Sequence, residues 1–186
     1  MKEKLINIFN KSFNSLLKNE IQNIMFNVSE RNLCARLMIY IHTMLLEDEE
    51  TKGYYVDPEY NITFDGELKK IISSTDKPKN IHCDIIVHSR GEVKKLDNLI
   101  AIEMKKSSRS KEDKERDKNR LKSLTSSNVN INDSDFGLNL NKYTYGYILG
   151  FYIELNIKKK KKCTYSIEQY EKGSKVHQWK ECIVFG

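Results

Sequence analysis

A glutamate and a lysine at the end of an apolar run are the residues of this chain best suited to do chemistry. Glu103 and Lys105 close the run 99–106, whose first four residues are Leu, Ile, Ala and Ile. Side chains alternate between the two faces of a strand, so the odd positions from Leu99 to Lys105 are predicted to share one face and the even positions the other. Burying either charge alone is costly, so we expect a polar partner beside them. The Glu-x-Lys spacing occurs five times in the chain, but only Glu103 continues an apolar run.

Asp84 is the expected partner. It interrupts the β-branched, apolar run 81–88, and the polar segment 89–98, which contains Gly91, separates the two runs. Such a segment favours a hairpin, which would bring Asp84 beside Glu103. Two neighbouring carboxylates repel each other and raise one pKa unless a cation lies between them. Oxygen ligands with open positions suit Mg²⁺ or Mn²⁺, so these residues predict a divalent-metal site.

Asp84 followed by Glu103-Met104-Lys105 resembles the signature of the PD-(D/E)XK nuclease superfamily, which has the restriction-endonuclease-like fold. The surrounding words, Cys-Asp-Ile-Ile-Val-His-Ser-Arg-Gly and Asn-Leu-Ile-Ala-Ile-Glu-Met-Lys-Lys, are similar to a bacterial branch of that superfamily. The resemblance covers residues 28–152. It implies an α/β fold with a mixed sheet, built on an α-β-β-β-α-β core.

The resemblance also implies roles for individual residues. Asp84 and Glu103 would hold Mg²⁺, with Mn²⁺ as a substitute, and the backbone carbonyl of Met104 would be a further metal ligand. Lys105 would be catalytic, because it can orient the attacking water or offset developing charge. Glu30 would be a third catalytic carboxylate, although a glutamate in the first turn of a helix is also favoured by the helix dipole alone.

Two further assignments come from the same resemblance. Glu59 belongs to an acidic-Tyr-Asn word and is a weaker candidate for the site. The segment 107–125 is dense in charge and is predicted to form a helix near the substrate backbone. Lys106, Lys111 and Arg120 are therefore candidates for contacts with nucleic-acid phosphates. The alternative for each of these three cations is a solvated protein surface.

The remaining periodicity predicts the elements around the site. Apolar residues at helical spacing predict helices over 3–25 and 30–47, with Ser29 as the N-cap of the second. Strand-forming patterns begin at Gly53, span 143–153, and form a C-terminal hairpin of 162–170 and 176–185. Residues 65–80 are interpreted as a connection and 126–141 as a loop. We predict one nuclease-like domain over 1–186, with an extra N-terminal helix in 1–27, the core in 28–153 and the hairpin in 154–186.

Composition limits the environment and the partners. The chain of 186 residues has a formal net charge of +6, which favours a polyanionic partner. Part of the excess is the lysine block 158–162, either a guard on an edge strand or a phosphate-contacting loop. The four cysteines lack zinc-site spacing, and no apolar run is long enough to span a bilayer. With no signal-peptide pattern at the N-terminus, we expect a cytoplasmic protein without a membrane association.

The sequence therefore predicts a metal-dependent nuclease, a hydrolase of phosphodiester bonds that acts on DNA in preference to RNA, in defence or DNA processing. Two alternatives stay open. The chain could be a catalytically silent nucleic-acid-binding or protein-interaction module on the same fold, or a structural domain in which Glu103 and Lys105 form only a salt bridge. Because no separate recognition domain is visible, either specificity is slight or a partner protein supplies it. A homodimer is also open, since a small nuclease that cuts both strands often works as a dimer.

Overall fold

The computed structural model describes residues 1–58, 70–72, 78–80, 83–93, 95–126, 146–158 and 162–184. Within these ranges the chain forms four helices, α1 (Lys2–Asn19), α2 (Ile21–Met25), α3 (Glu30–Leu46) and α4 (Lys111–Thr125). The strands in the same ranges are β1 (Tyr55–Pro58), β2 (Lys70–Ile72), β3 (Pro78–Asn80), β4 (Ile85–His88), β5 (Asn98–Lys106), β6 (Leu149–Lys158), β7 (Lys162–Glu171) and β8 (Ser174–Val184). Glu59, most of the segment 59–82 and all of the segment 127–145, which includes nearly all of the loop predicted over 126–141, lie outside the described residues.

Six strands form one mixed sheet in the order β1-β4-β5-β6-β7-β8. Only the β5–β6 pair is parallel among these neighbours, and the others are antiparallel. A parallel pair needs a crossover connection, and α4 lies in the segment between β5 and β6. The predicted mixed α/β class is therefore confirmed.

The sheet carries a core on each face. Alternate β5 residues Ile100, Ile102 and Met104 pack in the larger core with α1 and α3. Ala101 packs in the smaller core with Leu121 and Leu124 of α4. The prediction that Leu99 shares a face with Ala101 is wrong, because Leu99 belongs to the larger core. The β4–β5 register shifts beside this end of the strand, between Val87 and His88, which breaks the simple alternation.

Several predicted boundaries move for local reasons. Ser29 is confirmed as the N-cap of α3, because its hydroxyl accepts a hydrogen bond from the Asn32 backbone N–H at 3.2 Å. The helix predicted over 3–25 is instead α1 followed by α2, with a break at Glu20. Residues 65–80, interpreted as a connection, contain β2 and β3, which pair with each other.

The strand predicted over 143–153 corresponds to β6, which begins at Leu149 and ends at Lys158. Gly146 has a positive φ of 78°, and the Tyr147 backbone N–H donates to the Leu124 carbonyl at 3.0 Å. Gly146 and Tyr147 therefore lie outside the strand, and the Ile148 backbone N–H donates to the Asn98 carbonyl of β5 at 3.3 Å just before β6 begins. Residues 143–145 and 159–161 lie outside the described part of the chain, while Lys158 and Lys162 are paired across the β6–β7 ladder.

None of the helices in the described ranges is long and apolar enough to cross a membrane.

Candidate active site

Asp84 and Glu103 lie next to each other at the end of the β4–β5 ladder. Ile85 pairs with Ile102 in the antiparallel register, so the next position outward sets Asp84 opposite Glu103. The Asp84 Oδ2 atom accepts a hydrogen bond from the Met104 backbone N–H at 2.8 Å, which holds the aspartate against β5. The hairpin expected from the sequence thus brings the two carboxylates to adjacent strands.

Lys105 lies on the same side of β5 and connects this pair to α4. Its Nζ atom is 3.6 Å from Asp84 Oδ2 and 2.9 Å from Asp117 Oδ2. Burial lowers the pKa of Lys105, but Asp84 and Asp117 outweigh that effect and raise it above its ordinary value. Lys105 is therefore a protonated cation held between two carboxylates.

Glu103 is fully buried, and its two oxygens have different surroundings. Arg120 of α4 donates a hydrogen bond to Oε1, whereas Oε2 has no hydrogen-bond partner among the described residues. Burial raises the pKa of Glu103 well above its usual range; Arg120 opposes this effect, and the nearby Asp84 and Asp117 add to it. A buried carboxylate with one unpartnered oxygen is suited to accept a further cation or donor.

Asp117 completes a row of alternating charges. Its Oδ1 atom is 3.1 Å from Arg120 Nη2, while Oδ2 faces Lys105. The order Asp84, Lys105, Asp117, Arg120, Glu103 defines what we term the charge chain. The charge chain begins with the carboxylate of Asp84 and ends with that of Glu103. These two residues are the neighbours at the end of the β4–β5 ladder.

Sequence reasoning did not assign Asp117 to the site, although a signal was present. Asp117 precedes Leu121 by four residues and Leu124 by seven, so it continues the apolar stripe of α4. An acid in such a stripe is buried and needs a cation. The structure shows its side chain only 6% exposed, against Lys105 and Arg120.

Glu30 reaches the same end of β5 from the first turn of α3. It accepts hydrogen bonds at 2.9 Å from the Lys106 backbone N–H and from both Nε and Nη2 of Arg109. Burial raises the pKa of Glu30, but the bonds from Arg109 and Lys106 outweigh it and bring the pKa below its ordinary value. The structure thus gives this predicted third carboxylate an arginine partner, Arg109, that sequence reasoning did not single out.

The three cations predicted to contact phosphates have different surroundings. Lys111, the first residue of α4, is exposed. Lys106 donates from Nζ to the Asn27 carbonyl at 2.9 Å. Arg120 was predicted at a solvated or phosphate-facing surface, but its side chain is only 18% exposed and is directed at Glu103 and Asp117. The charge of those two buried acids explains this orientation.

An open groove leads to the carboxylates of Glu30 and Asp84. It has a volume of about 1220 Å³ and runs between α3 and β1. Glu30, Asp84 and Arg109 line it, together with apolar residues such as Met38 and Val56. Asp84 is thus reachable from solvent, and its side chain is 24% exposed.

The comparisons with known proteins identify no relative. No protein-family model, curated protein or solved structure matches this chain. Its possible function therefore has to be argued from the site itself.

The donor set can be tested for a divalent cation on chemical grounds. In the described ranges no group of three or more His, Cys, Asp and Glu side chains could hold a metal ion. Mg²⁺, however, is commonly held by one or two carboxylates, with waters and substrate phosphates as its other ligands. The reachable Asp84 carboxylate and the unpartnered Glu103 Oε2 atom fit that pattern.

Proposed function

We propose that this protein is a divalent-metal-dependent nuclease that hydrolyses phosphodiester bonds in nucleic acid and acts on DNA in preference to RNA. One observation carries the proposal: the β4–β5 register sets Asp84, the residue just before β4, opposite Glu103 of β5, with the Lys105 ammonium 3.6 Å from Asp84. Two carboxylates can hold a divalent metal ion, and a neighbouring lysine can offset the charge that develops on a scissile phosphate. The net charge of +6 agrees with a polyanionic substrate.

Each residue has a defined part in this proposal. Asp84 and Glu103 would hold the metal, and the Met104 carbonyl would be a further ligand. A bound Mg²⁺ would make a coordinated water more acidic and offset negative charge on the phosphate. Lys105, which stays protonated, would orient the attacking water or stabilise charge that develops on the scissile phosphate. Glu30 would act through Arg109 and Lys106, which it holds at the end of β5.

The described elements are compatible with the restriction-endonuclease-like fold that the sequence resembles. α3, β1, β4, β5, α4 and β6 occur in the α-β-β-β-α-β order along the chain, with the β2–β3 pair inserted after β1. The proposal assigns the chain to the PD-(D/E)XK superfamily on this order and on the motif residues. We also propose a cytoplasmic location, because all four cysteines are free, as is usual in a reducing compartment.

One observation favours the alternative of a catalytically silent nucleic-acid-binding or interaction module. Arg120 and Lys105 already offset two of the three negative charges of the charge chain without a metal. A buried set of charges that is internally paired can serve structure alone. Binding of nucleic acid without turnover would support that alternative.

The test is cleavage of circular, linear and single-stranded DNA and of RNA, with Mg²⁺, with Mn²⁺ and with a chelator. The decisive variant is Asp84→Asn, whose amide oxygen can still accept the Met104 N–H. Its matched control is Glu154→Gln. Glu154 lies on the neighbouring strand β6, and its carboxylate is paired with Lys114 of α4. The nuclease proposal requires metal-dependent cleavage that Asp84→Asn abolishes and Glu154→Gln retains. Equal cleavage by both variants would reject the assigned site.

A further inference from the structure

We propose that Arg120 competes with the divalent cation for the negative charge of Glu103, so that the guanidinium group weakens metal binding at this carboxylate. The inference rests on the proposed metal site. It assigns Arg120 a role that is separate from substrate contact: the residue sets how tightly the site binds its metal. The argument depends on three features of the charge chain.

The first feature is the balance of charge. The charge chain contains the three carboxylates of Asp84, Asp117 and Glu103 and the two cations of Lys105 and Arg120. With all five groups ionised and no metal bound, the cluster has one excess negative charge, and its two terminal carboxylates are neighbours. A divalent cation between them would be attracted to both ends, but it would also be repelled by the adjacent guanidinium.

The second feature is the burial of Glu103. Its side chain is 0% exposed, so water cannot solvate the carboxylate when no metal is bound. Leaving a buried charge unpaired destabilises the fold. Arg120 compensates the charge of Glu103 by donating a hydrogen bond to its Oε1 atom. A metal that coordinates Glu103 would make this pairing redundant. The guanidinium and the metal thus stabilise the same negative charge.

The third feature is an alternative partner for Arg120. Its Nη1 atom faces Glu103, whereas Nη2 is 3.1 Å from Asp117. Arg120 can therefore release Glu103 and keep a buried carboxylate beside it. Displacement of the guanidinium from Glu103 then needs no transfer of the arginine into water.

The experiment is a calorimetric Mn²⁺ titration of the full chain at fixed pH. Arg120→Gln removes the competing charge and keeps an N–H donor for Glu103. Coupling between sites of this kind usually changes affinity about 5- to 150-fold, so we expect at least about fivefold tighter Mn²⁺ binding in this variant. A wild-type protein that binds no detectable Mn²⁺, beside a variant that does, would also support the inference.

The matched control is Lys118→Gln. Lys118 is on the same helix, and its ammonium lies 4.9 Å from the ring centroid of Tyr152, the residue paired with Glu103 across β5 and β6. The control removes one positive charge without removing a partner of Glu103. Tightening of the same size in Lys118→Gln would overturn the inference, since net charge would then explain the effect.

The remaining outcomes separate this inference from the proposed function. If Glu103→Gln abolishes Mn²⁺ binding while Arg120→Gln binds no more tightly than wild type, competition by Arg120 is rejected and the metal site stands. If neither wild type nor Arg120→Gln binds Mn²⁺, the metal site and the inference both fail.

A second variant covers the case in which circular dichroism shows that Arg120→Gln does not fold. Arg120→Met removes the same charge and keeps a long side chain in place of the arginine stem. It should also bind Mn²⁺ more tightly than wild type. Unchanged or weaker binding by a folded Arg120→Met variant would then overturn the inference.

Discussion

The ammonium group of Lys105 lies 2.9 Å from the carboxylate of Asp117, closer than to Asp84 at 3.6 Å. A residue of β5 is thereby fixed by an acid of α4, so the helix controls where the lysine is directed. This relationship connects the fold to the proposed chemistry.

Replacement of Lys105 tests that connection directly. We expect Lys105→Met to reduce cleavage by about 10²-fold or more, because loss of a donor that stabilises developing charge has effects of that size. The control is Lys114→Met, since Lys114 is equally exposed at 17% and is paired with Glu154. Single-turnover cleavage rates and a thermal melt of both variants would be measured. Comparable activity in the two folded variants would contradict a catalytic role for Lys105.

Arg120 and Glu103 should depend on each other for stability in the absence of metal. Arg120→Met leaves Glu103 buried without its cation, so we expect a loss of about 3–5 kcal/mol in the free energy of unfolding. Adding Glu103→Gln to that variant should recover part of the loss, since no unpaired charge then remains. Urea denaturation of the two single variants and the double variant gives the coupling energy. Strictly additive effects would show that the pair contributes nothing.

Asp57 should make stability depend on pH. It accepts bonds from His88 Nε2 at 2.8 Å and from Arg90 at 2.9 and 2.6 Å. Burial raises the pKa of Asp57, but the bonds from Arg90 and His88 outweigh it and lower the pKa below the ordinary value. A lowered pKa stabilises the fold fully above the unfolded value of about 3.9, and this stabilisation is lost as the pH falls through the folded value.

We therefore expect Asp57→Asn to lower the free energy of unfolding by about 1–3 kcal/mol at pH 7, with a smaller difference from wild type below pH 4. Urea denaturation at both pH values measures this. Glu49→Gln is the control, because the Glu49 side chain is 86% exposed. A difference between Asp57→Asn and wild type that is constant with pH would argue against the ion-paired carboxylate as the cause.

Gly150 should tolerate no side chain between α4 and the sheet. A Cβ atom at this position would lie 3.0 Å from Thr125 Cγ2 and 3.3 Å from Tyr170 Cβ. We expect Gly150→Ala to destabilise the fold by about 1–3 kcal/mol through overpacking. Gly53→Ala is the control, since a Cβ atom added at Gly53 would meet no described atom within 4 Å. Thermal melts that show equal effects for the two substitutions would contradict this explanation.

The sequence by itself determined the local parts of this arrangement. Alternation along β5 and the polar segment before it were enough to predict the hairpin that brings Asp84 beside Glu103, because strand periodicity and turn composition act over a few residues. The Ser29 cap followed from local chemistry in the same way. Where local conformation changes abruptly, as at Gly146 before β6, the sequence predicted the strand but not its ends.

Only the tertiary structure decided which charges meet. Packing of Leu121 and Leu124 on the sheet sets the rotation of α4, and that rotation directs Asp117 at Lys105 and Arg120 at Glu103. Glu30 and Arg109 likewise meet across 79 positions of sequence. Any of these long side chains could have remained in water, so no local pattern selects a partner. Burial of the acids selects it, because an unpaired charge inside the fold is too costly.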